Sequence, residues 1–177
     1  MTYSHFQHRH NFAVWCAARA VQRKFAKTPF LKEALEKSGV VEFIRQHENG
    51  IISQEDFDKL HAEWCDSIIK TWECMNVKGS SYGRAAKLLA VYIKSMIVII
   101  NGDRKLAEVA HPPIDRIILQ NISKDKGIKH PHRPYWKKVN WTELNKEQYL
   151  NLIRDFRSVF NDKPFWYLEQ YWTVIDE

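Results

Sequence analysis

The chain of 177 residues has only three cysteines, Cys16, Cys65 and Cys74, and no Cys-x-x-Cys spacing. A sparse, odd set excludes a disulfide framework and favours a reducing, intracellular setting. A long hydrophobic run is also missing. The longest, Leu88 to Ile100, is interrupted by Lys94 and falls short of a comfortable bilayer span. It is expected to form a buried helix, with no membrane as partner. The opening "MTYSHFQHRH" lacks the apolar core of a signal peptide, so the expected location is cytoplasmic or nucleoid-associated. No convincing strand pair, internal repeat or low-complexity linker interrupts the chain, which leaves an all-α fold as the expected class.

Apolar and aromatic residues are well represented. A hydrophobic fraction of 45% and an aromatic fraction of 13% exclude a disordered chain, because burial offsets the entropy of ordering. Seven Trp, seven Tyr and nine Phe exceed what a core of this size needs, leaving rings to line a pocket for a flat ligand. The formal charge of +6 and a pI near 9.2 favour an anionic partner such as nucleic acid.

Helical punctuation recurs along the chain. Residues 11–27 read as a helix, apolar early and basic late, after a polar lead-in whose Phe6 and Phe12 are expected to pack on the core. Pro29 starts and Gly39 stops a second helix, and a third ends at Asn49-Gly50. Ser53 with Asp56 makes a capping-box-like start to a helix whose apolar positions, Phe57, Leu60, Trp64, Ile68, Trp72 and Met75, step by three or four. Residues 82–100 form a helix apolar on nearly every side, which belongs at the centre of the fold. Further helices are expected after Pro112-Pro113, over 142–160 and over 164–175, with a basic, proline-broken loop at 124–138. The expectation is a single domain, residues 1–177, of about seven to nine helices around the central one.

Two segments carry candidate chemistry. In "YGRAAKLLAVYIKSMIVII", Lys87 and Lys94 lie seven residues apart and so project from nearly one helix face, with Arg84 three residues before Lys87. A desolvated lysine loses its proton more readily, and the neutral amine is a nucleophile able to form a Schiff base. The plainer reading is that both lysines snorkel to a solvated edge. In "HPPIDRIILQ", Asp115 falls at a helix start, where a carboxylate suits the macrodipole. That explains it structurally, and it would also serve as an orienting base beside an amine.

Together, "YGRAAKLLAVYIK" and "HPPIDRIIL" resemble the helix-hairpin-helix superfamily of DNA glycosylases, particularly the 8-oxoguanine type and nearer its archaeal relatives. The resemblance covers about residues 80–123. In that family a lysine attacks the sugar C1′ of a damaged nucleotide, and an aspartate in a Pro-hydrophobic-Asp turn assists expulsion of the base. The resemblance implies an all-helical base-excision repair enzyme with glycosylase or lyase activity. Its nucleophile would be Lys87, its assisting carboxylate Asp115, and its partner double-stranded DNA carrying a lesion. Bacterial and eukaryotic members usually place the lysine where Ala85 stands, whereas Lys87 matches the archaeal arrangement. Lys94 is a second candidate.

In such an enzyme Tyr82, Gly83 and Arg84 would face the phosphates at the helix start, with Lys94 and Arg116 beside them. The basic loop, with Lys124, Lys126, Lys129, His130, His132, Arg133, Lys137 and Lys138, would hold the backbone. Trp136, Phe165 and Trp172 are candidates for a base pocket, although the C-terminal aromatics equally suit the core or an interface. His130 and His132 have no neighbouring Cys or carboxylate in sequence, so no metal is expected there. No cofactor is expected either. The alternative is a catalytically inactive helical module that binds nucleic acid or protein, for example in bacterial phage defence.

Overall fold

The computed structural model describes residues 3–21 and 25–172. Their regular structure is all helical, with no strand among the described residues. Nine α-helices follow one another: α1 (His5–Val21), α2 (Thr28–Ser38), α3 (Val40–His47), α4 (Gln54–Cys74), α5 (Tyr82–Ile93), α6 (Lys105–Val109), α7 (Arg116–Lys124), α8 (Arg133–Trp136) and α9 (Lys146–Val159). A π-helical turn, Lys94–Val98, extends α5, and 3-10 turns occupy Trp141–Glu143 and Phe165–Tyr171.

α5 is the central element. Ten of its residues are buried, and α1 and α4 both pack against it. α1 presents His10, Ala13, Val14, Ala17, Ala18 and Val21 inward, one face at helical spacing. The alanines let the two backbones approach closely, since interaxial distance follows side-chain size at the contact. α2 lies on α4, and Gly39 joins α2 to α3 at φ 93°, a left-handed conformation that favours glycine.

Local chemistry sets the helix starts. The Ser53 hydroxyl accepts the Asp56 amide at 3.0 Å and donates to the Asp56 carboxylate at 2.7 Å. This is the start that Ser53 and Asp56 predict. α9 begins at Asn145, which forms a reciprocal capping box with Gln148, rather than at Thr142. Residues 141–143 instead form a 3-10 turn, because the Ser81 hydroxyl donates to the Thr142 carbonyl at 2.7 Å and draws that segment onto the start of α5.

Several boundaries differ from expectation. The central helix is regular only to Ile93, after which the π turn carries the chain to exposed Ile99 and Ile100. The lead-in is helical from His5. Phe6 packs on the core, but Phe12 is 58% exposed and stacks on exposed Trp15. The basic stretch contains the short helix α8, and the C-terminal segment is 3-10 over Phe165–Tyr171. Residues 22–24 and 173–175 of two expected helices lie outside the described residues, and 25–27, the expected end of the first, are not helical. Among the described residues, no helix is long and apolar enough to cross a membrane.

Candidate functional site: a buried lysine and carboxylate beside a cationic cleft

α5 carries Lys87 on the side turned toward α7. The lysine side chain is only 7% exposed, and its ammonium donates to Asp115 Oδ2 at 2.9 Å. Asp115 is the N-cap of α7, its other oxygen accepting the Ile118 amide at 3.0 Å. Each carboxylate oxygen therefore has one structural partner, and the preceding buried prolines, Pro112 and Pro113, lead the chain into that cap. The Lys87 ammonium also lies 5.5 Å from the centre of the Trp141 ring. Burial pulls the lysine pKa below its ordinary value, with Asp115 opposing that shift.

A second pair sits two turns along α5. The Lys94 ammonium pairs with the Glu169 carboxylate and lies 5.5 Å from the Trp172 ring centre. Burial pushes Glu169 above the usual carboxylate range, while Lys94 pulls it back. Each lysine thus has one acid and one indole. The two pairs sense one another electrostatically: Glu169 raises the Lys87 pKa and Lys94 lowers it.

Beside the first pair lies a cleft of about 410 Å³. Arg84, Arg116, Lys137 and Lys138 line it with Val21, Gln120, Val139, Asn140, Trp141 and Thr142, and among the described residues no carboxylate contributes. Arg84 stands one turn before Lys87, Arg116 follows Asp115, and Trp141 is the ring under the Lys87 ammonium. Chemically, the arrangement offers a desolvated amine, an oriented proton acceptor and a neighbouring anion-attracting surface.

Other expected site residues stand elsewhere. Tyr82 and Gly83 do not face an open helix start, because residues 141–144 cover it. The Gly83 amide donates to the Leu144 carbonyl at 3.0 Å, the Arg84 amide donates to Ser81 Oγ at 3.2 Å, and Tyr82 is buried. A Cβ on Gly83 would overlap the Trp141 carbonyl oxygen, so glycine is what lets this turn land on α5. Trp136 is buried between His130, stacked at 5.2 Å, and Phe156. Phe165 is buried against His111, with the Arg157 guanidinium over its ring. Both rings serve the core. Trp172 is exposed on one side and adjoins Lys94.

The basic stretch splits in two. Lys137 and Lys138 reach the cleft. Lys124, Lys126 and Lys129 are exposed outside its lining, and the Lys129 ammonium donates to the Lys126 carbonyl. Arg133 donates to the Asp125 carbonyl at 2.7 Å and fastens the loop. His132 contacts Asp155 at 2.8 Å, and His130 lies 3.8 Å from that carboxylate. These three side chains could offer metal-ligating atoms within 4.8 Å of one another, a carboxylate that sequence adjacency does not reveal. As arranged, His130 Nδ1 accepts the His132 amide at 3.2 Å, which leaves the proton on the nitrogen facing Asp155. His132 thus ties the loop to α9 through its hydrogen bond to Asp155.

Trp141, Glu169 and Asp155 escape sequence reasoning because each reaches its partners by chain return. The buried group around His61 and His111 is missed too. His61 has a signal, since it shares a helix face with Phe57, Trp64 and Ile68. No protein-family model, curated protein or solved structure matches the chain.

Proposed function

We propose that the chain is a DNA base-excision enzyme, a glycosylase with lyase capacity, in which Lys87 is the nucleophile and Asp115 its proton acceptor. The observation that carries this reading is the 2.9 Å contact between a lysine only 7% exposed and a carboxylate fixed by its own helix cap. Base excision through a Schiff base needs a neutral amine held next to a group that can take and return its proton.

The damaged nucleotide leaves the stack to reach the site, at least cost where its base is mispaired or damaged. Asp115 takes one proton from the Lys87 ammonium. The Nζ–C1′ bond forms as the C1′–N bond to the base breaks, and the departing base receives a proton through Asp115. The C1′–O4′ bond then opens, O4′ takes a second amine proton, and a Schiff base links Lys87 to the sugar. DNA as partner makes a nucleoid-associated location the natural setting. The lesion would be an oxidised purine of the 8-oxoguanine kind, on the resemblance of residues 80–123.

A second reading keeps DNA binding without chemistry. It draws on the same closed ion pair, since a lysine so enclosed also serves as a core strut. Borohydride trapping on a duplex with an abasic site or 8-oxoguanine decides between them. The first reading expects a covalent adduct that disappears in Lys87→Gln and persists in Lys94→Met. Salt-sensitive binding with no adduct on either duplex would favour the second.

A further inference from the structure

We infer that the cleft formed by Arg84, Arg116, Lys137 and Lys138 binds a phosphodiester of the target strand, next to the nucleotide whose sugar Lys87 reaches. This inference rests on the base-excision reading for its position and deepens it by naming the group that seats the strand.

Three segments distant in sequence converge here: the first turn of α5, the first residue of α7 and the turn after α8. All four charges have the same sign, and none of these side chains has an ion-pair partner among the described residues. The two lysines of α5 and its π turn differ, since Lys87 and Lys94 each hold a carboxylate. Glu143, on the adjoining 3-10 turn, acts on Arg84 only at longer range.

Arg84 supplies an independent observation. Its Nε is enclosed and has no hydrogen-bond partner among the described residues, while the guanidinium lies 4.6 Å from the Phe25 ring centre. Burial lowers its pKa, the cost of holding a cation away from water without an anion. A phosphate oxygen relieves that cost, and a guanidinium fork suits phosphate geometry.

The start of α5 supports the same assignment. Helix-start amides are the usual seat for a phosphate. Here the Gly83 amide is spent on Leu144 and the Arg84 amide on Ser81, so a strand approaching Lys87 meets side chains instead. The cleft shares Trp141 with the lysine pair, which puts the phosphate site next to the ring that the Lys87 ammonium faces.

The test is fluorescence anisotropy on the full chain, with a duplex carrying a tetrahydrofuran abasic analogue and measured across salt concentrations. Arg116→Gln and Arg84→Gln should each weaken binding roughly tenfold, as loss of a charge-assisted phosphate contact does. Each should also reduce the salt slope by about one. Lys59→Gln, at an exposed i,i+4 pair on α4, should change neither. Because Arg116 is exposed, its variant keeps the fold, and circular dichroism melting checks both variants.

A methylphosphonate replacing the phosphate beside the analogue should weaken the wild-type protein and add little to the loss in Arg84→Gln. Wild-type affinity and salt slope in the variant carrying both Arg84→Gln and Arg116→Gln would overturn the inference. So would protection of the cleft by ATP or inorganic phosphate without competition from DNA. If the wild type gives no borohydride adduct while these binding effects appear, Schiff-base excision by Lys87 fails and the phosphate site stands. If an adduct forms while binding is unchanged in the variants, base excision stands and the phosphate site fails.

Discussion

Two largely buried polar groups adjoin α5, and they are built on different principles. In the first, Asp58 Oδ1 accepts from His111 at 2.9 Å and from Arg157 Nη2 at 2.8 Å, and its second oxygen pairs with Arg157 Nη1. His111 reaches the Tyr149 hydroxyl at 3.1 Å, and the His61 ring stacks on Tyr149. Every strong partner in that group is another member of it. In the second, the Lys87–Asp115 pair adjoins four cations with no carboxylate of their own. A closed network gives stability and a unique packing, whereas a closed pair beside an unsatisfied field leaves room for a ligand. The difference can be broken by substitutions in each group.

The largest stability effect is expected from Asp58→Ala. Burial pushes the Asp58 pKa up, but hydrogen bonds from His111 and Arg157 outweigh it and hold the carboxyl at about 2. Removing it leaves Arg157 and His111 without their shared acceptor, at a cost of about 3 kcal/mol. Urea denaturation at pH 7 measures this, and borohydride trapping should survive wherever the variant remains folded. The sign for Asp58 follows from its depressed pKa. Its contribution is present above the ordinary 3.8 and is lost as pH falls from there toward about 2.

The histidines act in a higher pH window. Burial holds His61 well below its ordinary 6.5 and lowers His111 and His10 as well. Below pH 6.5 the unfolded chain binds protons that the fold refuses, so this stability is present above 6.5 and lost as pH falls. Each fully neutral histidine adds a slope of up to about 1.4 kcal/mol per pH unit. His61→Phe keeps a ring against Tyr149 and should flatten the dependence between pH 6.5 and 5 by up to that amount. Unfolding midpoints that fall equally steeply in both proteins would assign the acid sensitivity to other groups.

Much of this architecture is legible in the sequence where its causes are local. Pro29, Gly39 and the Ser53–Asp56 start mark real helix boundaries because a cap acts within a few residues of itself. Motif alone points to Lys87 and Asp115, and α5 and α7 bring them together. Tyr82 and Gly83 are misleading because nothing near them records the return of residues 141–144, a contact spanning 61 residues from Ser81 to Thr142. The same reason hides Glu169 and Trp141. Composition suggests Trp136 and Phe165 for a base pocket, but it does not say which face of a short helix is covered. His61 and His111 escape notice because burial, rather than residue type, makes them a network.

A smaller effect separates the two jobs of Asp115. Asp115→Asn retains a good N-cap, while Asp115→Ala loses it at a cost of about 1 kcal/mol. Both remove the carboxylate that accepts the lysine proton. Trapping should therefore fall by a similar large factor in the two variants, while both lower the melting temperature by leaving Lys87 buried without its partner and Ala lowers it further. A catalytic loss confined to Ala would show that the cap, and not the carboxylate, is what Lys87 needs.

The smallest effect, and the sharpest distinction between the lysines, is expected from Lys94→Met. The methionine fills much of the lysine stem's volume, and the Glu169 pKa is already raised by burial, so the carboxyl can take a proton once its partner is gone. Stability should change by less than about 1 kcal/mol. The electrostatic consequence falls on Lys87, whose pKa Lys94 lowers and Glu169 raises. Where the pH keeps Glu169 ionised, removing Lys94 lifts the lowering while the Glu169 pull persists, so the Lys87 pKa rises. At a fixed pH below that pKa, less amine is neutral and trapping slows by less than about tenfold, the mark of a one-unit shift. The rate–pH profile of trapping should move to higher pH with its plateau intact. Complete loss of the adduct would instead transfer the nucleophile to Lys94, and an unmoved profile would show that the two ion pairs on α5 act independently.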